Sequence, residues 1–234
     1  MIYKTQNLTP FSGVVTSNEE NHMNILKHLR PKYRISLKEK YYLISLMSSI
    51  RYDSKQEKHE IFTRFGEIFN SEMNNISDKQ SQTWFLICSF MLSCYEVMQK
   101  RKERELLISE LSEALSKQGK QGVKWSIKLL LWFSKNIRKS LEYNSYHNAK
   151  ERYGESFELD LVKDSKKFTT VVHKCGFHDF FLRRNAPELT KAMCQWDNNW
   201  ADVINQSKRG VKFNRPQTIS EGNKKCLFEF HFEK

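Results

Sequence analysis

The 234-residue chain has only five cysteines, an odd number, and no CxxC pair among Cys88, Cys94, Cys175, Cys194 and Cys226. That spacing argues against a zinc ribbon and against a disulfide framework. Long hydrophobic runs are missing too. The longest apolar stretch, Trp84 to Met98, is interrupted by Ser89, Ser93 and Glu96 and is too short to span a bilayer, and the opening MIYKTQNLTPF lacks the apolar run of a signal peptide. These absences predict a cytoplasmic protein with reduced thiols and no membrane partner. No internal repeat, low-complexity tract, RNP motif, helix-turn-helix or finger signature is present either.

What the chain does contain is basic charge and apolar bulk. Lys and Arg number 39 against 27 Asp and Glu, a formal net charge of +12. Most of the cations fall singly through helical segments, and the longest cluster, Lys100 to Arg104, is broken by Glu103. A solvated basic surface explains such a distribution better than a nucleic-acid stripe does. Trp196 and Trp200 are four apart, the spacing of an amphipathic core rather than of a base-stacking platform, so no nucleic-acid partner is expected. Hydrophobic residues at 39% and aromatics at 13% suffice for a packed interior, and the length suits one compact unit stabilised by burial alone.

The pattern divides into three stretches. Residues 1–17 carry turn signals without periodicity and read as an arm. Residues 18–154 read as helical. Ser36 and Glu39 form a capping box before a helix through Tyr42, Leu46 and Ile50, while Ile61, Phe65 and Phe69 share one face of the next. Trp84 to Met98 is apolar on nearly all sides and should be a central helix, with Cys88 and Cys94 as small core residues. Glu103 to Lys117 is a further helix ending at Gly119, and Val123 to about Tyr153 reads as one long helix buried around Trp125, Leu129, Trp132 and Phe133.

After Gly154 the period changes to two. Phe157 to Leu161, Phe168 to Cys175, Val211 to Ile219 and Lys225 to Phe232 read as strands, the last two a hairpin turning at Ser220 to Asn223. Helices from Phe177 to about Arg184, and from Pro187 through Asn205 with a break near Cys194, should lie between. The expected fold is α+β: a helical N-terminal part packed with a small C-terminal antiparallel sheet in residues 155–234.

The reactive residues concentrate in this last part. Alternation puts Arg215 on the strand face that also carries Val211, Phe213 and Ile219, and an arginine there requires a carboxylate. Asp179, Asp197 and the carboxylate of a bound substrate are the candidates. Cys226 points inward by the same alternation, and Cys175 and Cys194 end a strand and a helical turn, where a side chain can face a cleft. A thiolate of lowered pKa beside Arg215 or His178 would be a nucleophile or a soft metal ligand. Cys175, His178 and Asp179 lie within one helical turn, and cysteine with histidine is the minimal nucleophile and base pair.

The ordered set Cys175, Asp179, Pro187-Glu188-Leu189, Cys194, Asp197, Phe213-x-Arg215-Pro216-x-Thr218-Ile219, Gly222 and Cys226-x-Phe228-x-Phe230 resembles the C-terminal signature of the L-2-amino-thiazoline-4-carboxylic acid hydrolase family. The resemblance covers residues 155–232, about a third of the chain. It implies hydrolysis of a C–N or C–S bond in a carboxylate-bearing, amidine-like ring, the thiazoline opening to an N-carbamoyl cysteine. Cys175, Cys194 and Cys226, treated as one signature, should then converge in space. The implied roles are Asp179 or Asp197 as base, a cysteine thiol as acid or transient nucleophile, Arg215 as carboxylate anchor, and Thr218 and His178 as further substrate contacts. No cofactor is implied. The competing reading is a non-catalytic protein that binds a ligand or metal through the three cysteines.

Overall fold

The computed structural model describes residues 35–76 and 78–233. The arm expected at residues 1–17, and residues 18–34 of the helical part, lie outside the described residues. Helix α1 (Leu37–Ser49) opens on the expected capping box: Ser36 Oγ accepts from the Glu39 amide at 3.2 Å, and Glu39 Oε2 accepts from the Ser36 amide at 2.8 Å. Helix α2 (Lys55–Glu72) is capped by Ser54, and α3 (Lys79–Met98) by Asp78. Burial all around α3 makes it the central helix. Phe65 and Phe69 of α2 pack with Phe90 of α3, and α4 (Arg104–Lys117) adds Leu107, Leu111 and Leu115 to the same core.

The single long helix expected from Val123 to Tyr153 is not formed. Instead α5 (Lys120–Phe133), α6 (Ile137–Glu142), a π-turn (Tyr143–His147) and α7 (Asn148–Tyr153) follow one another. Ser134 takes an extended backbone, and Asn136 Oδ1 accepts from the Lys139 amide at 3.0 Å. A local side-chain cap thus outcompetes helix continuation. The burial register of α5 also differs from expectation. Trp125, Leu129, Trp132 and Phe133 are 62%, 44%, 73% and 71% exposed. Leu131, with Ile127 and Leu130, turns inward instead. The helix carries two apolar stripes, and periodicity alone does not say which one meets the core.

Four strands follow: β1 (Glu158–Lys163), β2 (Lys167–Lys174), β3 (Val211–Gln217) and β4 (Cys226–Phe232). They form one antiparallel sheet in the order β1-β2-β4-β3. Between β2 and β3 run α8 (Gly176–Arg183), α9 (Leu189–Gln195) and α10 (Asn198–Gln206). Phe180 and Phe181 of α8 and Leu189 and Ala192 of α9 join the core of the N-terminal helices. The inner sheet face stacks Phe168 on Phe230 at 4.6 Å between ring centres, and Trp200 of α10 lies on it, 4.6 Å from Phe213. Edge strand β3 holds a bulge between Asn214 and Gln217, which contains Pro216. A residue without an N–H is tolerated there because the ladder is already interrupted.

Gly154 joins α7 to the sheet with φ +67° and ψ −156°, a backbone that side chains strongly disfavour. A Cβ there would collide with Asp78 Oδ1, whose carboxylate accepts from the Ser81 and Glu155 amides at 2.8 and 3.3 Å. Gly154→Ala is therefore expected to cost about 1–3 kcal/mol in urea unfolding, through backbone strain and loss of the α3 cap. An unchanged midpoint would show that the junction is not constrained.

Candidate active site

Residues far apart in sequence meet where β2 ends, β4 begins and the α9–α10 break passes under β3. Cys175 caps α8 directly after β2, and Cys226 opens β4 opposite Val172. Both thiols are buried in one small cluster with Leu159 and Val172. Cys194, half-buried in the last turn of α9, lies near enough that it and Cys226 each push the Cys175 thiol upward. All five cysteines are free.

Arg215 projects inward from the bulge, as alternation requires, and finds its carboxylate in Asp197. Its Nη1 donates to Asp197 Oδ2 at 2.9 Å and to the Cys194 carbonyl at 3.1 Å. The guanidinium lies 5.7 Å over the Phe228 ring. Asp197 Oδ1 accepts from Trp200 Nε1 at 3.0 Å, so the aromatic that anchors α10 to the sheet also fixes the carboxylate. The two charged side chains are 18% and 19% exposed. Burial raises the pKa of Asp197 despite the opposing pull of Arg215 and of the Trp200 bond. The site thus offers a fixed, poorly hydrated carboxylate beside a guanidinium of which, among the described residues, only Nη1 is engaged.

A protein-family model, that of L-2-amino-thiazoline-4-carboxylic acid hydrolase, matches residues 86–230, more than half the chain. The chain belongs to that family. The match reaches back to residue 86 within α3, so it takes in helices that carry no recognisable motif of their own. No curated protein and no solved structure matches the chain.

In this hydrolase-family chain the remaining predicted site residues take different positions from those a nucleophilic cysteine would require. Burial raises the Cys175 thiol well above its ordinary value, against the pull of the His178 and Phe177 amides at the start of α8. Burial also pushes Cys194 up to about 11, and raises Cys226, whose Sγ accepts from the Ile219 amide at 3.2 Å. Burial thus raises all three thiols rather than lowering them, desolvation outweighing the nearby guanidinium. His178 does not form the expected pair with Cys175. Its Nδ1 lies 3.3 Å from Thr190 Oγ1. The Asp179 amide donates to the Cys175 carbonyl at 3.0 Å, an ordinary bond of α8, and Asp179 is not the partner of Arg215. Thr218 is buried and its hydroxyl donates to Glu221 Oε2 at 2.7 Å, a role internal to the hairpin turn. Among the described residues no three His, Cys, Asp or Glu side chains are placed to hold one metal ion.

Two tyrosines were not among the predicted site residues. Tyr153, at the end of α7, has its phenol raised by burial and by the nearby Asp197 charge. Its ring packs against Phe157 at 4.5 Å and Trp84 at 5.2 Å. Tyr146 of the π-turn packs against the cluster of Cys175 and Cys226. Gly154 marks the end of the helix in sequence, but no local pattern says that the Tyr153 ring turns toward Asp197. An open cleft of about 430 Å³ elsewhere, between Tyr95, Glu96, Arg104 and Arg184, has its arginines paired, Arg104 to Glu188 and Arg184 to Glu72.

Proposed function

We propose that the chain hydrolyses a C–N or C–S bond in a carboxylate-bearing ring of thiazoline or amidine type, at the Arg215–Asp197 centre. The observation that carries this reading is the half-committed guanidinium. Both hydrogen bonds of Arg215 use Nη1, which leaves the Nε and Nη2 edge for a planar carboxylate, the geometry in which arginine binds such a group bidentately. A substrate held there by its carboxylate brings its ring toward Asp197. Each oxygen of Asp197 accepts one protein bond and retains capacity for another, so the carboxylate can accept a proton from water.

In a 2-amino-thiazoline-4-carboxylate, water oxygen bonds to the ring carbon between nitrogen and sulfur, one water proton passes to Asp197, and the π pair of the carbon–nitrogen double bond moves onto the ring nitrogen. The other water proton passes from the new hydroxyl to that nitrogen as the carbon–oxygen double bond forms, the carbon–sulfur bond breaks with its electron pair leaving on sulfur, and Asp197 returns its proton to the sulfur. The product is an N-carbamoyl cysteine, the substrate plus one water. A carboxylate whose pKa is raised suits both transfers, because donor and acceptor are then better matched near neutral pH. The neutral thiols of Cys194 and Cys226 flank the centre without adding negative charge that would repel the substrate.

Arg215→Lys tests the anchor. Lysine keeps the charge but loses the fork. KM for the carboxylate substrate should rise about tenfold or more while kcat changes little, and a carboxamide analogue should be indifferent to the substitution. Equal loss on both compounds would remove the anchoring role.

A further inference from the structure

The outward stripe of α5 has no partner among the described residues. Trp125, Leu129, Trp132 and Phe133 recur at i, i+4, i+7 and i+8 on the side away from Ile127, Leu130 and Leu131, which meet the sheet-side core. The Trp132 and Phe133 rings stack on each other at 5.4 Å in the open. Contiguous exposed apolar surface of this kind marks an interaction site.

Charge decides what fits it. From Gln118 through Lys139 there is no acidic residue but six cations, Lys120, Lys124, Lys128, Lys135, Arg138 and Lys139. Arg138 folds back onto the turn between β1 and β2, donating to the Ser165 carbonyl at 2.8 Å. Lys124 and Lys128, four apart, lie on one side of the stripe, Lys124 half-buried and Lys128 exposed, and the Lys128 ammonium sits 5.7 Å over the Trp125 ring. A second copy of the chain would set this cationic flank against itself. An anionic surface with an apolar interior satisfies both parts at once.

We propose that α5 docks the protein peripherally on an anionic lipid bilayer. The four apolar side chains enter the boundary between headgroups and acyl chains, and the lysine flank meets the lipid phosphates and carboxylates. The sequence expectation of no membrane partner rested on the lack of a spanning segment. No helix of the described residues is long and apolar enough to cross a membrane, but a helix lying in the interface needs no such length.

Co-sedimentation of the full chain with vesicles tests this. Vesicles of phosphatidylcholine with phosphatidylserine should retain the protein, and vesicles of phosphatidylcholine alone should not. Trp132→Ser with Phe133→Ser, and separately Lys124→Glu with Lys128→Glu, should each weaken partition about tenfold or more without lowering the melting temperature. Failure to bind either vesicle, or equal binding to both, would overturn the proposal. So would a concentration-dependent dimer abolished by the serine pair, which would give the face to a second copy. A marked fall in melting temperature of the serine pair would give it to the chain itself, with the same consequence.

Discussion

Asp197→Asn should lower the turnover of folded protein about a hundredfold or more, the usual scale for a general acid–base group. Its cost in stability should be at most about 1 kcal/mol, because the charge-assisted bond to Arg215 is lost together with the burial of a carboxylate charge that raises the Asp197 pKa. Asn keeps an acceptor for Trp200 Nε1 but cannot take a proton from water. The two effects separate when turnover and thermal unfolding are measured on one preparation. A destabilised variant whose folded fraction keeps normal specific activity would make Asp197 purely structural.

The pH dependence carries opposite signs for rate and for stability. Burial raises the pKa of Asp197 above its ordinary value of 3.8. The base form that the proposed reaction uses is lost as pH falls through the raised pKa, so kcat should decline on the acid side sooner than for an exposed aspartate. For stability, the native state holds its proton to higher pH than the unfolded chain does. That contribution is full below the ordinary value and is lost as pH rises through the raised one. Asp197→Asn should abolish both slopes.

Phe230→Ala should be the most destabilising single change in the sheet, at about 3–5 kcal/mol. Phe230 is fully buried, stacked on Phe168 and within 5.1 Å of Phe213, with Trp200 over it at 6.1 Å. The cavity would also loosen Trp200, and with it the bond that orients Asp197, so activity should fall in the folded fraction. Phe133→Ala, at an exposed ring of the same size, should stay within about 0.5 kcal/mol in urea. Similar costs for the two changes would contradict the assignment of the sheet core.

Much of this fold is legible in sequence wherever the determinants are local. The Ser36 and Glu39 box, the all-apolar run of α3, and the alternation of β3 and β4 each appear where residue types and spacing put them. The inward phase of Arg215 belongs here too, since strand alternation alone requires it. Which carboxylate meets Arg215 is not local. Asp179 and Asp197 are both near in sequence to a site cysteine, and the choice depends on how the α9–α10 break passes under the bulge at Pro216. The thiol pKa values are tertiary for the same reason: Cys175 stands at a helix start that favours thiolate, and burial by three other elements reverses the outcome. The α5 register failed because two apolar stripes satisfy the same periodicity. The break after Phe133 was missed because Asn136 acts as a cap within a stretch otherwise rich in helix formers.

The central claim is that the Arg215–Asp197 centre opens a carboxylate-bearing thiazoline. Its most direct test is the formation of N-carbamoyl cysteine, followed by mass spectrometry, from 2-amino-thiazoline-4-carboxylate by wild type, Arg215→Lys and Asp197→Asn side by side. The account predicts product from wild type, product from Arg215→Lys only at raised substrate concentration, and almost none from Asp197→Asn. No product from folded wild type, or equal product from all three, would contradict it.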